Sequence, residues 1–204
     1  KANIAMNHAA VRLAVGPAGQ TWVGTRTGLT VVRGDGTSEV VFNRGILAVT
    51  FDGSGVAWAC TTDGHLLKQA GSDWHDLANI SELAGSLPRD VVVSDDGTVW
   101  LGTPSGLGLW STSGEFSLKV VEDGLPHVDI RALAHGPDDA LWIATAHGLA
   151  RRLPSGRWTR FTTESTEGGL RSMEMWDLFA DDQGTLWMAT SSGVSVRTRD
   201  ADWS

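Results

Sequence analysis

Short apolar and aromatic runs of about five residues recur along this chain, each closed by a cluster of Gly, Pro, Asp or Asn. Runs of that length bounded by turn residues are strand and hairpin signals. The clearest stretch, residues 130–163, reads as four strands. Ile130 to His135 is the first, and Gly136-Pro137-Asp138-Asp139 turns the chain. Leu141 to Thr145 is the second, followed by the turn Ala146-His147-Gly148. Leu149 to Leu153 is the third, and Pro154-Ser155-Gly156 forms a hairpin turn before Trp158 to Thr162. One short helix is expected over Asn79 to Gly85, where Ser81-Glu82-Leu83-Ala84 runs into a stopping glycine.

The strand pattern repeats. Trp-x-x-Thr-x-x-Gly followed by a large residue occurs at Trp22, Trp58, Trp100, Trp142 and Trp187, with spacings of 36, 42, 42 and 45 residues. Four short strands in about 40 residues make one propeller blade, so the chain predicts an all-β fold. The repeat therefore predicts a five-bladed β-propeller of four-stranded antiparallel blades, a single domain over residues 1–204. In that reading the tryptophans pack between blades, and each repeat glycine sits in a tight turn that needs positive φ.

The ends of the chain bear on closure. Counted from the tryptophans, Ile4-Ala5-Met6-Asn7 falls on Val40-Val41-Phe42-Asn43, the outermost strand of a blade. Trp203 lies ten residues after Gly193, as Trp158 lies ten after Gly148. The N-terminal strand is therefore expected to complete the last blade and close the ring. Five repeats of a larger propeller is the alternative.

Composition narrows the partners. The net charge is −8 with no run of five like charges, which argues against a nucleic-acid surface. No stretch approaches the apolar length of a membrane-spanning helix. The chain starts at a lysine, as a processed, trimmed or excised polypeptide would. The single cysteine, Cys60, occupies a slot two residues after the tryptophan that otherwise holds Gly or Ala, which suits a small hydrophobe.

Gly124-Leu125-Pro126, Ile130, Leu141-Trp142-Ile143-Ala144-Thr145 and Gly148-Leu149 together resemble the two-component regulator propeller repeat. Gly184-Thr185-Leu186-Trp187-Met188-Ala189-Thr190 and Gly97-Thr98-Val99-Trp100-Leu101-Gly102-Thr103 echo it. The resemblance implies a bacterial propeller of the kind that forms extracytoplasmic sensor regions, often recognising oligosaccharides. It thus implies a periplasmic or extracellular location. Sensor propellers of that family usually carry more than five repeats, plus a membrane segment and a kinase module. Streptogramin lyases are similar in shape, but their catalytic histidines find no matching positions here.

Candidate chemistry is sparse. Matching Leu87-Pro88-Arg89 to Leu125-Pro126-His127, the start of each innermost strand is expected at Asn7, Asn43, Arg89, His127 and Ser172. All five are polar and would converge on the channel mouth as a ligand-binding ring. The turn acids Asp52, Asp95-Asp96, Asp138-Asp139 and Asp181-Asp182 are explained by bonds to their own backbone. No zinc or calcium spacing occurs, and no cofactor or metal is called for. No catalytic residue is assigned. The expected function is a non-catalytic ligand- or protein-binding propeller, as a monomer or as part of a larger chain or assembly. The alternative is a carbohydrate-active enzyme, a glycosidase or lyase, with Asp90, Asp129 and Glu174 meeting in the central channel.

Overall fold

A computed structural model describes residues 10–136, 138–181, 183–200 and 202–203. They form a five-bladed β-propeller in which each blade is an antiparallel meander running from the channel outward. Blade one contains β1 (Ala10–Val15), β2 (Thr21–Thr25), β3 (Leu29–Val32) and β4 (Ser38–Phe42). Blade two contains β5 (Ile46–Phe51), β6 (Ala57–Thr61), β7 (His65–Ala70) and β8 (Asp73–Asn79). The helix α1 (Ile80–Ala84) then leads to blade three, with β9 (Asp90–Val93), β10 (Val99–Thr103), β11 (Gly106–Trp110) and β12 (Phe116–Lys119). Blade four is β13 (Ile130–His135), β14 (Leu141–Thr145), β15 (Gly148–Arg152) and β16 (Trp158–Phe161). Blade five has three strands, β17 (Met175–Ala180), β18 (Leu186–Thr190) and β19 (Gly193–Arg197).

The expected fourth strand of blade five begins in place. Trp203 pairs with Arg197, as Trp158 pairs with Arg152 in blade four. The N-terminal residues assigned to continue that strand, Ala2 to Asn7, lie outside the described residues.

The repeated Thr and Gly are chemically linked. Thr25, Thr103, Thr145 and Thr190 each donate a hydroxyl hydrogen bond to the carbonyl of the glycine three residues on, at 2.7–3.1 Å. The same oxygen accepts the backbone N–H two residues on in all four blades. This turn brackets the second strand of each blade. At Gly148 (φ 115°) the chain passes against the Phe161 carbonyl and Met173, where a side chain would be strained. In blade two Thr61 bonds Asp63 instead, and His65 in the leucine slot pairs with Asp76 at 2.8 Å.

The core lies between blades, not within them. Among the described residues it falls into four clusters, one at each boundary from blades one–two to four–five. At each boundary a blade's tryptophan face receives the inner strands of the next blade, as Trp100 and Leu107 receive Ile130, Leu133 and Leu141. Cys60 is fully buried in its small-residue slot, and burial pushes its thiol far up, leaving it inert. No helix among the described residues is long and apolar enough to cross a membrane.

Candidate functional site

The five inner strands surround a channel of about 1160 Å³. They all start on the same face, taken here as the top. In blades one, two, four and five the first turn of pairing contains a bulge, between Ala10/Arg12, Ile46/Ala48, Ile130/Ala132 and Met175/Asp177. A bulge bends the strand and re-aims the side chain at the extra residue. Those residues stand eleven positions before the repeat tryptophan: Leu47, Arg131 and Trp176 in blades two, four and five. The same count in blade three reaches Arg89, whose N–H donates to the Gly102 carbonyl at 2.7 Å.

Arg89 therefore takes the register of Arg131, not that of His127. The register shared by Asn43, His127 and Ser172, fifteen before the tryptophan, holds Gly85 in blade three. Leu87-Pro88 and Leu125-Pro126 look alike in sequence, yet Leu125 is fully buried and Leu87 is 43% exposed. His127 and Ser172 sit over the top turns of their own blades. His127 stacks beside His147 (6.4 Å between ring centres) and accepts the Asp129 N–H on Nδ1 at 3.0 Å. The Ser172 hydroxyl meets that of Ser191 at 2.8 Å. Asn43 is exposed after β4, and Asn7 lies outside the described residues.

What the top mouth does bring together is an ion-pair belt. Arg89 pairs with Asp129 and donates to the Ile130 carbonyl at 3.2 Å. Asp129 also meets Arg131 at 2.9 Å, and the Arg131 guanidinium lies 5.3 Å from the Trp176 ring. That ring is 51% exposed. Arg12, one residue deeper, spans the channel. Its guanidinium donates to the Arg89 carbonyl at 2.7 Å and faces Asp90 at 3.5 Å and Asp177 at 3.8 Å. Beside this belt, Leu47, Leu87, Pro88 and Pro104 join Arg12 and Arg89 around an apolar hollow of about 520 Å³.

Asp90 lies deeper than the other acids of the belt, with 14% of its side chain exposed against 21% for Asp129 and 61% for Asp177. Its oxygens accept the N–H of Leu133 at 2.8 Å and of Val91 at 3.0 Å. Burial raises its carboxyl above the ordinary range, Arg12 offsets that in part, and Asp177 adds to it. Of the acids named for the enzymatic alternative, Asp129 is held by two arginines and Glu174 is exposed beyond the belt. Among the described residues no three His, Cys, Asp or Glu side chains gather as metal ligands.

Sequence reasoning missed Arg12, Arg131, Trp176 and Asp177. An unbroken count back from each tryptophan places Arg89, Arg131 and Trp176 in one register, but the bulge that turns that register to the mouth leaves no residue signature.

Residues 169–192 match the two component regulator propeller family. No curated protein matches the chain significantly in sequence. Among solved structures, the extracellular domain assigned to a hybrid two component system of B. thetaiotaomicron is similar, at 17% identity and a TM-score of 0.72. The match covers 95% of this chain and only 28% of that one. Virginiamycin B lyase from Staphylococcus aureus is similar at 13% identity and a TM-score of 0.74, over 98% of this chain and 70% of that one. A gluconolactonase from Xanthomonas campestris is similar at 16% identity and a TM-score of 0.72, over 96% and 74% of the two chains. At these identities the likeness is one of fold. The family match itself is confined to residues 169–192, in the fifth repeat.

Proposed function

We propose that this propeller is a non-catalytic recognition module that binds a small ligand at the top mouth of its channel. The observation that carries the reading is the belt of Arg12, Arg89 and Arg131 beside the exposed Trp176 ring and an apolar hollow. Arginines held by fixed carboxylates present oriented N–H groups, and an aromatic face adds stacking area. Such a surface suits a ligand with a flat or ring-shaped apolar side and oxygen acceptors, of which a saccharide is one class. Similarity to an extracellular sensor domain supports a place outside the cytoplasm and a role in a sensor. Asn43, His127 and Ser172 then form an outer polar rim on the same face.

One observation favours the enzymatic reading: the raised carboxyl of Asp90 in the channel, in a fold shared with a lyase and a gluconolactonase. Both Asp90 oxygens, however, are engaged by backbone N–H groups, which gives the side chain a structural occupation.

Intrinsic fluorescence titrated with neutral and uronic-acid oligosaccharides tests the proposal. Saturable quenching is expected, lost in Trp176→Ala and weakened by about 2- to 13-fold in Arg89→Ala, the cost of one hydrogen bond of about 0.5–1.5 kcal/mol. Turnover of any tested sugar that disappears in Asp90→Asn would establish the enzyme instead. An unchanged signal with every sugar, or equal binding by Trp176→Ala and the parent, ends the reading for this site.

A further inference from the structure

The face of the disc where the inner strands end carries a charged cluster that the channel does not use. It lies between blades four and five, in a groove of about 270 Å³ whose polar lining is Asp138, Trp142, Arg151, Arg197 and Arg199. Arg151 stands opposite Trp142 in the ladder of β14 and β15, and Arg197 stands opposite Leu186 in that of β18 and β19. Both guanidiniums lie against one tryptophan, 5.2 and 5.1 Å from the Trp142 ring. The repeat does not require this. In the other blades the place of Arg151 holds Val31, Lys68, Leu109 and Val196. At the boundary of blades three and four the same two places hold Leu109 and Arg152. There one guanidinium, that of Arg152, lies against Trp100, at 4.8 Å.

The charges in the groove do not balance. Asp138 pairs with Arg151 and is the one carboxylate lining the groove among the described residues. Arg197 has no carboxylate partner among them, and its guanidinium makes one long hydrogen bond, 3.5 Å to the Thr198 carbonyl. Arg199 is exposed at the rim. Three arginines against one aspartate leave an excess of two positive charges. The Nε–H groups of Arg151 and Arg197 are buried with no acceptor among the described residues. Buried polar groups nearly always have a partner, so an unmet N–H marks a place where an acceptor belongs. Burial lowers the Arg197 guanidinium below its ordinary value, the Arg151 charge lowers it further, and Asp138 offsets part of this. The Trp142 indole adds a donor. In three other blades Asp52, Ser94 or Asp181 takes the indole N–H. In blade four that place is Gly136, where a Cβ would lie 3.3 Å from the Trp142 Nε1.

We propose that this groove is a second binding site and that it takes a doubly charged tetrahedral oxyanion, a phosphate or sulfate group. Guanidiniums from two blades offer N–H forks from different directions, which suits oxygens spread over a tetrahedron, and a doubly negative ion cancels the excess charge. The groove has roughly nine times the volume that one water takes in the liquid, which leaves room for a small organic group on the anion. The site shares no residue with the top mouth and does not depend on a ligand there.

Isothermal titration calorimetry of the 204-residue chain tests this, with inorganic phosphate, sulfate and glycerol 3-phosphate as probes in chloride buffer of constant ionic strength. Saturable binding at one site per chain is expected. It should weaken about 10- to 100-fold in Arg197→Gln, the loss of a charge-assisted bond, and less in Arg197→Lys, which keeps the charge. Thermal melting shows whether Arg197→Gln still folds. If it melts early, Arg199→Gln at the exposed rim carries the test, with several-fold weakening expected. Tighter binding of glycerol 3-phosphate than of phosphate supports an anion carried on a small molecule, and equal or weaker binding supports the free ion. No saturable binding of any probe overturns the inference, as does one affinity shared by the parent, Arg197→Gln and Arg199→Gln. Binding abolished by Arg89→Ala but untouched by Arg197→Gln also overturns it, since the anion then sits at the top mouth.

Discussion

Asp52 divides its two oxygens between two tasks. Oδ1 accepts the N–H groups of Ser54 and Val56, both at 3.0 Å, and the Ser54 hydroxyl at 2.6 Å, which closes the turn. Oδ2 accepts the Trp58 indole N–H at 3.0 Å. Asp181 repeats the arrangement for Trp187, and the Ser94 hydroxyl replaces it for Trp100. Where the position is Gly16, the buried indole N–H of Trp22 has no partner among the described residues. Burial works to raise the Asp52 carboxyl, but its hydrogen bonds outweigh that and leave it below the ordinary value. A folded-state value below the unfolded one, about 3.9, gives stability that is present above pH of about 4 and lost as pH falls through the folded value. Asp52→Asn should therefore be less stable than the parent at pH 7, with the gap closing below pH of about 4. Urea unfolding at pH 7, 4 and 2.5 reads this directly, and a pH-independent gap would exclude the carboxylate charge as its source. The turn role of these acids was legible because Asp followed by Gly two or three residues on is local chemistry. The indole bond was not, because it depends on how the second strand folds back over the turn.

At the scale of elements, α1 shows what local sequence determines well. Asn79 accepts from the Glu82 N–H at 3.4 Å and the Ser81 hydroxyl at 2.7 Å, its amide donates to the Glu82 carboxylate at 2.9 Å, and Gly85 ends the helix at φ 67°. Both end signals are contained in seven residues, and the helix was predicted at its observed place. Removing the cap in Asn79→Ala should cost about 0.5–2 kcal/mol, read as a lowered urea midpoint with an unchanged slope. The segment just after it shows the opposite. Leu87-Pro88-Arg89 mimics Leu125-Pro126-His127 in letters, yet α1 occupies the start of an approach of the same length, and Arg89 stands four residues further along the register than His127. The strands of blade four were legible to within a residue, since alternation and turn residues define them. The mouth was not, since it depends on bulges and on which blades the ion pairs of Arg89 and Arg12 cross.

For the whole molecule, the repeat alone announced five blades and their packing order, because each tryptophan must be covered by something of matching shape. It did not announce that four of those tryptophans are covered and the fifth, Trp187, is not. That inequality sets the order in which the molecule loosens. A row of units that touch only their neighbours has stability that sums over shared boundaries, and an end unit has one boundary where an inner unit has two. Among the described residues, blades two, three and four each sit between two apolar clusters, while blades one and five each have one. Local opening should then begin at the two ends and travel inward. Amide hydrogen exchange is expected to be slowest in β10, faster in β6 and β14, and fastest in β2 and β18, although all five strands carry the same ladder of backbone bonds. Uniform protection across the five would mean that the row behaves as a closed circle in solution. If the gradient holds, the blade that carries Trp176 opens early, and the top mouth inherits that freedom on the side where a ligand would meet it.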